Sequence, residues 1–192
     1  MSTAAADAVN ALRREFGDAI LDAAEFRGEH TLVVDPARAR DVFAHCRDTL
    51  GFDYLIDISS VDHETRAPRF EVVYELYALR GGRAHLRVKY SVAEDAAAPT
   101  VSDLWPTAEW HEREIYDMMG IRFKDHPDLR RILMWEGYPY FPLRKDFPLA
   151  GRPSEMPEVA FTNVAPLAGG PFVTSPTEAG TIQREPRSRE KE

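Results

Sequence analysis

The 192-residue chain predicts an α+β fold, with helices packed on one face of a mostly antiparallel sheet. Three observations carry this expectation. Residues 35–51 hold the start signal, apolar stripe and glycine stop of an amphipathic helix. Residues 52–92 hold three runs rich in β-branched and aromatic side chains. Two of those runs flank Arg80-Gly81-Gly82-Arg83, where paired glycines accept the positive φ of a primed hairpin turn.

In chain order, residues 5–16 read as a helix with Val9, Leu12 and Phe16 on one stripe and Gly17 as the stop. AILDAAEF and HTLVV follow as two short strands around an Arg27-Gly28-Glu29 turn. Asp35 is placed to cap the next helix, with Pro36 at its first position and Gly51 after its last turn. Between them Ala39, Val42, Phe43, Cys46 and Leu50 keep the spacing of a core-facing stripe. FDYLIDISSVD, FEVVYELYAL and AHLRVKYSV are then three strands. In the last, Leu86, Val88, Tyr90 and Val92 alternate with His85, Arg87, Lys89 and Ser91, so one face is buried and the other wet. The predicted order is α-β-β-α-β-β-β over residues 1–99.

Residues 100–120 add a short capped turn from Thr100 to Trp105 and a helix that Thr107 can cap. From 121 to 192 the character changes, and ten of the fourteen prolines lie from Pro127 onward. Such a segment lacks the periodicity to build its own core. Yet it carries Leu129, Ile132, Leu133, Met134, Trp135, Tyr138, Tyr140, Phe141 and Phe147. An extended docking arm that orders against a partner, with REPRSREKE as a mobile charged end, fits that composition.

The net charge of −8 argues against nucleic acid as a partner, because phosphate contacts need a basic face. Cys46 is the only cysteine, so neither an internal disulfide nor an iron–sulfur cluster can be built from this chain, and a small core side chain is the expected role. The N-terminus lacks an apolar secretory core, and nowhere is there a run of ~18–20 apolar residues. A reduced cytosolic setting is expected, with any membrane association made through a partner.

Most of the candidate chemistry sits in WHEREIYDMMGIRFKDH, residues 110–126. On a helix, Trp110, Arg113, Glu114 and Asp117 share one face, while Glu112 and Tyr116 point away. Position i+4 from His111 is Ile115, which excludes the paired-histidine zinc motif. Arg113 and Asp117 are i, i+4 partners, and Trp110 beside them favours a buried or interfacial charge cluster over a solvated one. A metal-dependent enzyme using His111, Glu114, Asp117 and His126 stays open as an alternative. The chain has no G-x-S-x-G, phosphate loop or dinucleotide motif. His30, His45, His63 and His85 show no ligand spacing.

Three blocks carry a family resemblance: Glu112-Arg113-Glu114-Ile115-Tyr116-Asp117-Met118-Met119-Gly120-Ile121, then His126-Pro127-Asp128-Leu129-Arg130-Arg131-Ile132-Leu133, then Pro142-Leu143-Arg144-Lys145-Asp146-Phe147-Pro148-Leu149. In this order they strongly resemble the signature of the C subunit of proton-pumping NADH–quinone oxidoreductase, respiratory complex I. The resemblance implies a redox-free subunit of the peripheral arm, on the cytoplasmic side of the bacterial membrane. It implies no catalytic, cofactor or metal residue in this chain, with FMN and iron–sulfur clusters in partner subunits. The implied partners are the hydrogenase-like large subunit that helps form the quinone pocket, and neighbouring iron–sulfur subunits. The expected interface is Arg113, Glu114, Asp117, His126, Arg130, Arg131, Arg144, Lys145 and Asp146. An equivalent subunit of a membrane-bound hydrogenase-type complex is the second reading. Two departures stand out: Tyr140-Phe141-Pro142 replaces the family's common Gly-His-Pro, and the tail with Gly169-Gly170-Pro171-Phe172 follows its own course.

Overall fold

The computed structural model describes residues 3–80, 83–135 and 137–148, together with the strand pair at 159–160 and 163–164. Two compact units divide the chain, residues 1–144 and residues 145–192. Gly81 and Gly82, Leu149 and the tail expected to be mobile lie outside the described residues, apart from that strand pair.

The first unit begins with α1 (Thr3–Phe16), β1 (Ile20–Phe26), β2 (Glu29–Val34) and α2 (Ala39–Asp48). It continues with β3 (Tyr54–Asp62), β4 (Phe70–Tyr77), β5 (His85–Val92), β6 (Ala97–Pro99), α3 (Ala108–Met119) and β7 (Arg122–Lys124). Five strands form one sheet in the order β1-β2-β5-β4-β3. All neighbours are antiparallel except β2 and β5, where His30 to Val33 run parallel to Leu86 to Lys89. This is the expected α+β class. In the second unit β8 (Val159–Ala160) pairs antiparallel with β9 (Asn163–Val164).

The alternation read in β5 is the alternation observed, and β4 repeats it. Leu32 and Val34, Val72, Tyr74 and Leu76, and Leu86, Val88 and Tyr90 form the floor of the core. Leu12 of α1, Val42, Phe43 and Cys46 of α2, and Ile115 and Met118 of α3 cover it. Each such side chain removed from water contributes roughly 1.5–3 kcal/mol, which is why these helices gather on this face. The opposite face carries cross-strand polar pairs, an ion pair of Glu71 with Lys89 at 3.2 Å and a hydrogen bond of Glu75 with His85 at 2.7 Å.

Local chemistry settles the turns. Between β1 and β2, Arg27 (φ 53°) and Gly28 (φ 82°) both take positive φ, the requirement of a primed two-residue hairpin. Between β4 and β5 the Ala78 amide donates to the Ala84 carbonyl at 2.9 Å, closing the connection across the Gly-Gly pair. Asp35 acts one turn earlier than its sequence suggests. Its Oδ1 accepts the Ala37 amide at 2.9 Å and its carbonyl accepts the Arg38 amide at 3.0 Å, so Pro36 lies in a turn and α2 starts at Ala39. A short aspartate side chain bonding two residues on competes with the helix start and delays it. Thr107 makes no side-chain cap on α3.

Cys46 sits in the core with no accessible surface, and burial pushes its thiol up to about 12. The thiolate is the reactive form. Iodoacetamide is therefore expected to label the folded chain at a small fraction of its rate in urea. Equal rates, followed by mass spectrometry, would contradict this placement. Among the described residues, no helix is long and apolar enough to cross a membrane.

Candidate functional site

The stripe Ala108, Glu112, Ile115, Met119 faces the core, and this orientation places every other group of α3. Gly120 ends the helix at φ 76°, its amide donating to the Tyr116 carbonyl. The short parallel pair β6–β7 then matches Ala98 to Phe123, tying the chain before α3 to the chain after it. Residues 125–144 run back over α3, and two buried carboxylates organise them.

Asp117 is fully buried. Its Oδ2 accepts three consecutive amides, from Ile132 at 3.0 Å, Leu133 at 2.7 Å and Met134 at 2.8 Å. Its Oδ1 accepts Arg131 Nη1 at 2.6 Å. Burial alone would raise this carboxyl, but the three amides and the guanidinium outweigh it and hold the group below its ordinary 3.8. Arg131 donates onward to the Tyr140 carbonyl at 3.2 Å and lies over the rings of Tyr138 and Phe141. Arg113 donates to the Arg130 and Arg131 carbonyls at 3.2 and 3.3 Å and stacks on Trp110 at 5.2 Å.

Arg144 closes the far end of this segment. Its Nε donates to the Met119 carbonyl at 2.6 Å and its Nη1 to Glu94 at 2.6 Å, and it lies against the Phe70 and Phe141 rings. Glu94 also pairs with Arg69, which grips Asp62 at 2.8 Å. Gly120 lies directly beneath: a Cβ there would stand 2.6 Å from Arg144 and 2.7 Å from Phe141.

Glu112, also fully buried, forms the second centre. Thr100 Oγ1 donates to its Oε2, and the Val101 amide donates to its Oε1 at 2.8 Å. Burial, with Asp103 nearby, raises the carboxyl to about 7 although both hydrogen bonds favour its ionised form. His126 Nε2 lies 3.8 Å from Oε2, and the two side chains are both shut off from solvent.

The structure therefore unites Arg113, Asp117 and Arg131, and sets His126 apart with Glu112. Glu114 is exposed, and Arg130 points outward in an ion pair with Asp128 at 2.8 Å. Lys145 and Asp146 belong to the second unit. Several expectations need correcting. Trp110, expected to be buried or interfacial, is 59% exposed in this chain, with the Arg113 guanidinium over its ring. Asp117 pairs with Arg131 and not with Arg113. Arg131 and Arg144, expected as forks for a partner, make bonds within this chain. The apolar segment after Gly120 is not wholly unpartnered, since Leu129 and Met134 pack on the core and Tyr138 is buried. The metal alternative is not assembled either. His111 Nδ1 faces Asp57 of β3 at 3.3 Å, far from the Asp117 centre in its bonding, and no group of three ligand-type side chains converges among the described residues. Thr100, Glu94 and the role of Glu112 were missed, although the stripe Ala108, Ile115, Met119 passes through Glu112 and signals its burial.

The α+β domain thus carries two buried carboxylates on α3, Glu112 tied to the turn before the helix and Asp117 to the segment after it. The chain belongs to the family of the respiratory-chain NADH dehydrogenase 30 Kd subunit, whose family model matches residues 32–153. It is 45% identical over 145 residues to the second NADH-quinone oxidoreductase C subunit of Rhizobium meliloti, a match spanning 74% of this chain and 79% of the relative. It is 46% identical to the NADH-quinone oxidoreductase C subunit of Roseiflexus sp., over 79% of this chain and 85% of that one. Among solved structures, a chain of an archaeal membrane-bound sulfane sulfur reductase shares the fold at TM-score 0.66 and 23% identity, covering 76% of this chain and 86% of that one.

Proposed function

We propose that this chain is a redox-free peripheral subunit of NADH–quinone oxidoreductase, needed for assembly and for shaping the quinone-side module that couples electron transfer to proton translocation. In this reading it docks on the hydrogenase-like large subunit and neighbouring iron–sulfur subunits, on the cytoplasmic side, while FMN and clusters stay in those partners. The 43–46% identity to C subunits of NADH-quinone oxidoreductases favours the NADH-linked complex over a hydrogenase-type one.

One observation carries the docking role. The segment pinned by Asp117 turns Leu133, Trp135 and Leu143 outward at 61%, 39% and 52% exposure, and Arg113 bridges that segment to exposed Trp110. Large apolar groups held outward by a rigid polar base are the material of a protein interface. The polar members of the docking surface on the first unit are Glu114 and Arg130; Lys145 and Asp146 of the second unit are proposed as partner contacts in their own right. The internal cations set the shape of that surface.

Leu133→Asp tests this without touching the internal network. The expected result is a loss of most assembled complex on a native gel while the chain itself keeps its circular dichroism. Full assembly with this variant would remove Leu133 from the interface and leave the docking face unsupported.

A further inference from the structure

The His126 ring sits between two turns of opposite demands. The Asp128 amide donates to Nδ1 at 3.0 Å, so that nitrogen carries no proton. The proton is on Nε2, which donates to the Glu109 carbonyl at 3.2 Å. These two bonds assign a neutral imidazole. The groups acting on the neighbouring Glu112 carboxyl come from every side: Thr100, the Val101 amide and Asp103 from the turn before α3, Tyr74 and Tyr90 from the sheet, and His126. Arg40, paired with Asp103, and Lys124 line the groove beside Thr100, but neither is bonded to Glu112. Of the groups set against the carboxyl itself only the imidazole can take a positive charge, and it does not while the His126–Asp128 turn keeps its present hydrogen bonds.

We propose that Glu112 and His126 form a pH-responsive joint that sets the geometry of the His126–Asp128 turn, and through it the path of the segment that follows. With Glu112 protonated, Nε2–H stays on the Glu109 carbonyl and the Asp128 amide stays on Nδ1. Loss of that proton leaves a negative charge 3.8 Å from Nε2–H. The charge draws the Nε2–H away from Glu109 towards Oε2. The ring turns, and the Asp128 amide on its opposite edge must follow or let go. Thr100 and Ser102 line an open groove, so the proton reaches Glu112 from solvent through the hydroxyl that holds it.

The direction follows from linkage. The folded chain holds the Glu112 proton to about 7, above the ordinary carboxyl value of 4.5. The protonated joint therefore stabilises the fold fully below the ordinary value, and that contribution is lost as pH rises to about 7.

Amide NMR of the full-length chain across pH 5.5–8.5 tests the joint. The Asp128 amide shift is expected to report the Glu112 carboxyl with a midpoint near 7, the deprotonated fraction of Glu112 rising about tenfold per pH unit below the midpoint. Glu112→Gln should abolish this step. Thr100→Val removes a bond that favours the carboxylate, so it should move the midpoint to higher pH, and it decides the matter where Glu112→Gln does not fold. A wild-type Asp128 amide indifferent to pH, an unchanged step in Glu112→Gln, or an unmoved midpoint in Thr100→Val would each overturn the proposal.

Discussion

Asp117→Ala is expected to cost the first unit about 3–5 kcal/mol, because a buried charge pair loses one partner. Three amides and Arg131 converge on this carboxylate; alanine leaves the three amides without this acceptor and Arg131 with only backbone carbonyls, those of residues 117 and 140. The loss should concentrate at residues 130–144, which lose their anchor on α3. Urea unfolding of the full-length chain measures the total, and hydrogen exchange at Ile132, Leu133 and Met134 locates it. A destabilisation below about 1 kcal/mol, the value of a single ordinary hydrogen bond, would show that the three amides find other partners. Acid gives an independent check. The folded carboxyl lies below its ordinary 3.8, so its stabilisation is present above that value and is lost as pH falls through the folded one. Asp117→Asn should remove that part of the acid sensitivity.

Gly120→Val is the second large effect. The residue sits at φ 76°, where a side chain costs roughly 1–2 kcal/mol. The first added carbon would also stand 2.7 Å from Phe141 and 2.6 Å from Arg144. Arg144 cannot swing aside cheaply, since it is held by the Met119 carbonyl and Glu94 and packed against two rings. Forcing such a contact adds roughly 1–3 kcal/mol. A fall in thermal midpoint larger than that of Gly51→Val is expected, because Gly51 shares the positive φ but has open space around it. Equal effects at both sites would mean that backbone conformation alone matters at Gly120.

The regular elements were legible because their signals are local. A stripe at 3.6-residue spacing or an alternation along β5 needs no knowledge of the rest of the chain. The family, too, was legible in three ordered blocks. The centres around Glu112 and Asp117 were only partly so, and the reason is physical. Arg113 and Asp117 are neighbours on a helix, and local rules pair them. A guanidinium has five donors, however, and backbone carbonyls 17 and 18 residues away proved better placed. Arg144 and Glu94 meet across 50 residues, a distance no local pattern spans. Glu112 does point away from the Trp110 face, as helical geometry gives, but no local signal said what it would meet there. Its burial depends on Thr100 and Val101, which lie outside the helix altogether.

The parallel pairing of β2 with β5 has a consequence in time. Residues 1–34 are synthesised before β5, yet β2 cannot take its place until β5 exists, because His30 to Val33 lie along Leu86 to Lys89. The β3–β4–β5 meander is built from neighbours in sequence and can zip as it emerges. During translation the hairpin of β1 and β2, with α1 beside it, must therefore wait as an unfinished layer with Leu32 and Val34 uncovered. A hairpin made early in translation is thus the last part of the sheet to be seated.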